Sequence, residues 1–154
     1  MKMWPSAKFV DDSVAFSRMP TEEELDEVAK NFDAVVVLVD DYELPYSLEE
    51  WEKRGVEVLH SPIPDFTAPS LEQLLEILRW VGSKTQEGKR VLIHCMGGLG
   101  RSGTVAVAWL MYSKGLPLGE ALRRVRSLRY GAVETPEQFE VLRELEMYLS
   151  HRQF

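Results

Sequence analysis

Two residue types at one spacing could do chemistry here. The chain has a single cysteine, Cys95, and five residues later it has Arg101. The run between them, Met96-Gly97-Gly98-Leu99-Gly100, is mostly glycine. An apolar stretch, Val91-Leu92-Ile93, leads into His94-Cys95, and a stretch of helical character, Val105 to Tyr112, comes after Ser102-Gly103-Thr104. Strand, glycine-rich loop and helix in that order aim backbone N–H groups and a helix N-terminus at an anion. A thiol at the mouth of such a cradle is expected to be held as thiolate and to act as a nucleophile. The guanidinium fork of Arg101 suits two oxygens of a phosphoryl group and the charge that builds on them. The candidate phosphate-binding residues are therefore Met96, Gly97, Gly98, Leu99, Gly100 and Arg101.

The same glycines fit two rival patterns less well. Gly98-x-Gly100-x-x-Gly103 matches a dinucleotide fingerprint, which also needs a second strand ending in an acid about 20 residues on. This loop leads instead into helix, Gly115, Pro117 and another helix. A P-loop needs Gly-Lys-Ser/Thr, and Gly100-Arg101-Ser102 lacks the lysine. A merely buried, inert cysteine would leave the neighbouring arginine and glycines unexplained.

His94-Cys95-x5-Arg101-Ser102 resembles the signature of the cysteine-dependent protein tyrosine phosphatases. From about Arg18 to the C-terminus the chain resembles their short dual-specificity type, found in archaea among others. The resemblance implies that Asp65, in the proline-stiffened run Ser61 to Pro69, is a general acid rather than only a turn aspartate. It implies that Ser102 hydrogen-bonds the Cys95 sulfur and helps it leave, and that His94 orders the loop. For Gln138 it implies placement of the hydrolytic water, beside the simpler reading as a helix-capping residue. Glu134, just ahead of that cap, is a candidate second carboxylate near the site.

The formal charge of −7 argues against a general nucleic-acid partner. Neither a signal peptide nor a run of membrane-spanning length is evident, so a cytoplasmic protein with no membrane partner is expected. One cysteine permits no internal disulfide. The three histidines, 60, 94 and 151, lack metal-ligand spacing, so no metal and no cofactor are expected.

The elements that must hold these residues are legible in outline. Residues 1 to 19 read as an edge strand or hairpin. Thr21 and Glu24 form a capping-box pattern that starts a helix with Leu25, Val28 and Ala29 on its apolar face. Ala34 to Val39 reads as a buried strand, and the acids that end it, Asp40, Asp41 and Glu43, read as solvated or structural. Ser47 to Arg54 is a short helix, Val56 to His60 a strand, and Ser70 opens a helix with Leu71, Leu74, Leu75, Leu78 and Val81 inward. Pro117 to Arg129 is amphipathic, with Arg123, Arg124 and Arg126 read as a solvated face. Arg129 resembles a family arginine near the site. Thr135, Pro136 and Gln138 open the last helix.

The expected fold is α/β: a central, mostly parallel sheet of four or five strands flanked by helices, with the cysteine loop leaving a central strand. One catalytic domain over residues 1–154 is expected. The expected function is hydrolysis of phosphotyrosine and of phosphoserine or phosphothreonine on phosphoproteins through a cysteinyl-phosphate, with phosphate-like oxyanions as inhibitors. A phosphoinositide or RNA 5′-phosphatase is the alternative on the same chemistry, and a phosphopeptide-binding module that has lost turnover is the alternative of another class. Cys95→Ser is expected to abolish release of phosphate from an aryl phosphate while vanadate still binds, as shown by calorimetry. Turnover near the wild-type rate would exclude Cys95 as the nucleophile.

Overall fold

The computed structural model describes residues 3–152. Five strands form one sheet in the order β1-β2-β5-β3-β4. They are β1 (Lys8–Phe9), β2 (Val14–Ser17), β3 (Ala34–Val37), β4 (Glu57–His60) and β5 (Val91–His94). Only β1 runs antiparallel; β2, β5, β3 and β4 are mutually parallel. The helices are α1 (Leu25–Asn31), α2 (Glu49–Lys53), α3 (Leu71–Gln86), α4 (Arg101–Lys114), α5 (Leu118–Leu128) and α6 (Pro136–Arg152). This is the helix-flanked, mostly parallel sheet expected from the sequence.

Register is what builds the site. Ser17 and Val37 both pair with His94, and Val37 pairs with His60 on its other side. All four parallel strands therefore finish level at one edge. The segments leaving that edge are Arg18–Met19, Leu38–Glu43, Ser61–Thr67 and Cys95–Gly100. An open parallel sheet offers its crevice there, beyond the carboxyl ends of the strands. A one-residue slip would reverse the facing of each strand and take Ser17, Val37 and His94 out of line.

The hairpin expected within residues 1 to 19 forms as β1 paired antiparallel with β2: β1 is the sheet edge, and β2 lies one strand in with Val14, Ala15 and Phe16 fully buried. Three contiguous buried apolar residues signal an interior strand rather than the alternation of an edge.

α4 is the central helix. Every residue from Arg101 to Met111 is buried, and the helix packs on β2 and β5 and touches α3, α5 and α6. Its N-terminus is thus fixed directly above the end of β5. Asp11 joins this helix to the first hairpin: Oδ1 accepts from the Ser13 and Val14 amides at 2.8 Å, and Oδ2 accepts from Trp109 Nε1 at 2.8 Å. No helix among the described residues is long and apolar enough to cross a membrane.

His94, the last residue of β5, is fully buried. Burial lowers its pKa to about 4, against a raising hydrogen bond to the Cys95 carbonyl. The unfolded chain therefore binds a proton between about pH 6.5 and 4 that the folded chain does not. Stability is expected to fall as pH drops through that window and to lose no more from this group below it. Between pH 7 and pH 5 the loss should be about 2 kcal/mol. Urea unfolding of the wild type and of His94→Asn at both pH values checks this: the variant should lose most of the difference.

Candidate active site

The loop after β5 is held by its carbonyls. Met96 O accepts from Met19 N at 3.0 Å, and Gly97 O accepts from Arg129 Nη2 at 3.2 Å. Leu99 O accepts from Val133 N at 3.0 Å, and Gly100 O accepts from both Thr104 N and Thr104 Oγ1. Across a trans peptide the N–H points opposite to the C=O. Carbonyls bound outward on residues 96, 97, 99 and 100 therefore turn the amides of 97, 98, 100 and 101 inward. Gly98 N does point inward, donating to Cys95 Sγ at 3.2 Å. Among the described residues the Met96, Gly97, Leu99 and Gly100 amides find no protein acceptor. Amides left open around one sulfur in this way suit an anion.

Gly98 is dictated by contact with backbone. Gly98 has φ +79°, and a Cβ there would stand 2.6 Å from Arg18 N and 2.8 Å from Ser17 C. Backbone cannot yield as a flexible side-chain tip can, so the loop closes against β2 only with glycine. At Gly100 a Cβ would overlap the Glu134 carboxylate.

Arg101 is 2% exposed and is fixed from behind. Its Nη1 donates to Glu43 Oε2 at 3.0 Å and to Ile63 O at 2.9 Å, and its Nη2 donates to Glu43 Oε1 at 3.0 Å. This bidentate pair uses one end of the fork and leaves Nε–H without a protein acceptor among the described residues. Burial works against the guanidinium charge, but Glu43 above all overrides it and raises the pKa. The same hydrogen bonds hold the Glu43 carboxyl below its ordinary value despite desolvation. Glu43 is therefore structural rather than solvated, one of the two roles the sequence leaves open for it. The usable signal was Asp40-x-x-Glu43, a capping box in which Glu43 Oε2 also accepts from Asp40 N at 2.8 Å.

Cys95 is 2% exposed, and its Sγ lies 3.2 Å from Ser102 Oγ. As a thiol it donates to Ser102; as a thiolate it can only accept, and the hydroxyl hydrogen must then turn from the Ser17 carbonyl, 3.4 Å away, to the sulfur. His94 Nδ1 sits 3.1 Å from Cys95 O, while its buried Nε2 has no partner among the described residues. With the pKa lowered to about 4, the ring is neutral and donates from Nδ1.

Two carboxylates reach this crevice on strained turns. Asp65 Oδ1 lies 3.4 Å from Arg101 Nη2, and the carboxyl is about half exposed. The turn Pro64 to Thr67, closed by Thr67 N to Pro64 O at 3.0 Å, puts Phe66 at φ 64°. Glu134 follows Val133, which has φ 68°. A bulky or β-branched residue in that region is strained and persists only when its surroundings fix it. Arg126 supplies part of that fixing, donating to Ala132 O at 2.8 Å and Val133 O at 2.9 Å. It was expected on a solvated face and is not there.

Gln138 is fully buried. Its Oε1 accepts from Glu134 N at 2.7 Å and Thr135 N at 3.2 Å, and Nε2 donates to Thr67 O at 3.1 Å. Asp65, Phe66, Cys95, Met96, Arg101 and Glu134 help to line one cleft of about 200 Å³. A larger groove of about 810 Å³ between α4, α5 and α6 includes neither Cys95 nor Arg101, so size does not locate the chemistry.

Comparison with known proteins agrees with this geometry. The family described as Tc-R-P, polymorphic toxin system, DSP-PTPase phosphatase, matches residues 12–115. Cyclin-dependent kinase inhibitor 3 of Sus scrofa is 36% identical over 118 residues, 73% of this chain and 56% of that protein. The chain thus spans about half the length of that relative. A crystal structure of Tk-PTP in the active form is 79% identical with TM-score 0.94, covering 94% of this chain and 99% of that one. A structure of PTPMT1 superposes with TM-score 0.87 at 26% identity, covering 96% and 98%.

The contact at Gly98 yields a direct test. Gly98→Ala should disrupt the cradle and lower kcat on an aryl phosphate by about 10²–10³, the scale for losing an aligned amide donor. Steady-state kinetics with circular dichroism to confirm folding would check it; activity within about twofold of wild type would refute the packing described.

Proposed function

Because the chain belongs to the DSP-PTPase family of cysteine-dependent phosphatases, we propose that it hydrolyses phosphomonoesters on phosphoproteins, phosphotyrosine foremost, as one catalytic domain. The observation that carries this reading is the Cys95 sulfur on the floor of a cradle of unpaired amides, with Arg101 braced beside it. Cys95 thiolate attacks phosphorus opposite the leaving oxygen, forming the S–P bond as the P–O bond breaks. The inward amides and Arg101 Nε–H stabilise charge on the equatorial oxygens. Asp65 gives its proton to the leaving oxygen, and Ser102 donates to the sulfur as it departs in the second step. Asp65 then takes a proton from the water that attacks phosphorus, and phosphate and thiolate are released.

Glu43 acts as a positioning residue. It holds one end of the Arg101 fork so that the other end meets phosphate without a rotational search. His94, being neutral, orders the loop through Cys95 O and takes no part in proton transfer.

The mouth of the cleft supports an aromatic leaving group. Phe66 is 63% exposed and Met96 is 43% exposed, and both line the opening beside the carboxylates. A polyanionic inositol headgroup or an RNA end fits less well. No basic residue lies between Cys95 and Arg101, and Asp65 and Glu134 are on the lining. Phosphoserine and phosphothreonine peptides would enter the same cleft without the ring contact.

Asp65→Asn should lower kcat on an alkyl or phenyl phosphate by about 10²–10⁴ and on nitrophenyl phosphate far less, because only the poor leaving group needs the proton. Rates for the leaving-group series in Asp65→Asn and Glu134→Gln test this. The reading of Asp65 fails if Asp65→Asn keeps the wild-type series while Glu134→Gln steepens it.

A further inference from the structure

We infer that Gln138 is a positioning residue that clamps the Asp65 turn over the cysteine and couples it to the segment carrying Glu134. The inference rests on the phosphatase reading above. Its first support is the set of bonds that hold the turn. Among the described residues, the turn 64–67 receives one hydrogen bond from outside the loop, Gln138 Nε2 to Thr67 O at 3.1 Å. The Arg101–Asp65 ion pair at 3.4 Å is the other tie, and it must loosen when phosphate draws on Arg101. The stem of the loop is anchored elsewhere, through Ile63 N to Leu38 O and Gln73 Nε2 to Pro62 O. The turn itself depends on Gln138.

Strain is the second support. Phe66 and Val133, one beside each carboxylate residue, both hold positive φ. Such conformations persist only where the surrounding structure holds them. Gln138 bonds to both neighbourhoods at once, taking the Glu134 and Thr135 amides on its oxygen and giving a hydrogen to Thr67 O. The pattern also fixes the amide orientation: an oxygen must face the two N–H groups and a nitrogen the carbonyl. Those bonds occupy both acceptor sites and one donor, leaving one N–H near Gly100. A water-placing role would need a free acceptor to orient the attacking water's proton, and Oε1 has none to spare.

Two substitutions separate the clamp from helix capping. Gln138→Glu keeps an oxygen for the Glu134 and Thr135 amides but has no hydrogen for Thr67 O. Gln138→Met removes both ends and adds no charge. Both variants should lose about tenfold or more in kcat on phenyl phosphate, less than about threefold on nitrophenyl phosphate, and little in KM. Amide exchange across 64–68 should quicken in both, whereas thermal stability should drop mainly in the Met variant, which loses the cap. Equal losses on the two substrates, with a burst of nitrophenol, would overturn the clamp in favour of water placement. Loss in Gln138→Met alone would overturn it in favour of capping. If the wild type releases no phosphate, the phosphatase reading itself fails, a result distinct from either.

Discussion

The site depends on one constraint: the carbonyls of residues 96, 97, 99 and 100 are all engaged away from the crevice, by Met19, Arg129, Val133 and Thr104. Planarity of the peptide then leaves the amides with nowhere to point but inward. Converging N–H dipoles repel one another, so without those outward bonds the peptides would turn over. The partners come from four parts of the chain: the exit of β2, the end of α5, the turn before α6, and α4 itself. The sheet register that brings Ser17 level with His94 places the first of them, and burial of α4 places the last.

A second layer braces what the first layer exposes. Glu43 and Ile63 O hold the far side of Arg101, Arg126 holds the carbonyls ahead of Glu134, and Gln138 spans the two acidic turns. Each is a buried or partly buried polar group whose hydrogen bonds are directional, so each fixes an orientation rather than merely filling space. Reacting groups held in place before substrate arrives need little reorganisation during the reaction.

How much of this was legible in the sequence depends on how local each signal is. Cys95, Arg101 and Ser102 sit within eight residues of one another on a strand–loop–helix unit, and the structure brings them together as that unit requires. Helix starts at Thr21, Ser70 and Thr135 were readable because capping acts over three residues. The partner of Glu43 is not legible because 58 residues separate it from Arg101, and the place of Arg126 is not legible because it bonds to strained backbone that no periodicity reports. The interior place of β2 was hidden for a related reason: pairing between residues 14 and 91 is set by the whole sheet. Gln138 was seen as a cap, which it is, while its bond to Thr67, 71 residues distant, has no sequence signature.

The most direct test of the cradle is a crystal structure with vanadate at the site. Vanadium should bond to Cys95 Sγ, with equatorial oxygens on the loop amides and Arg101 Nε, and with the carbonyls of 96, 97, 99 and 100 still on their present partners. Vanadate bound away from Cys95, or peptides turned over so that those carbonyls face the ligand, would contradict the account.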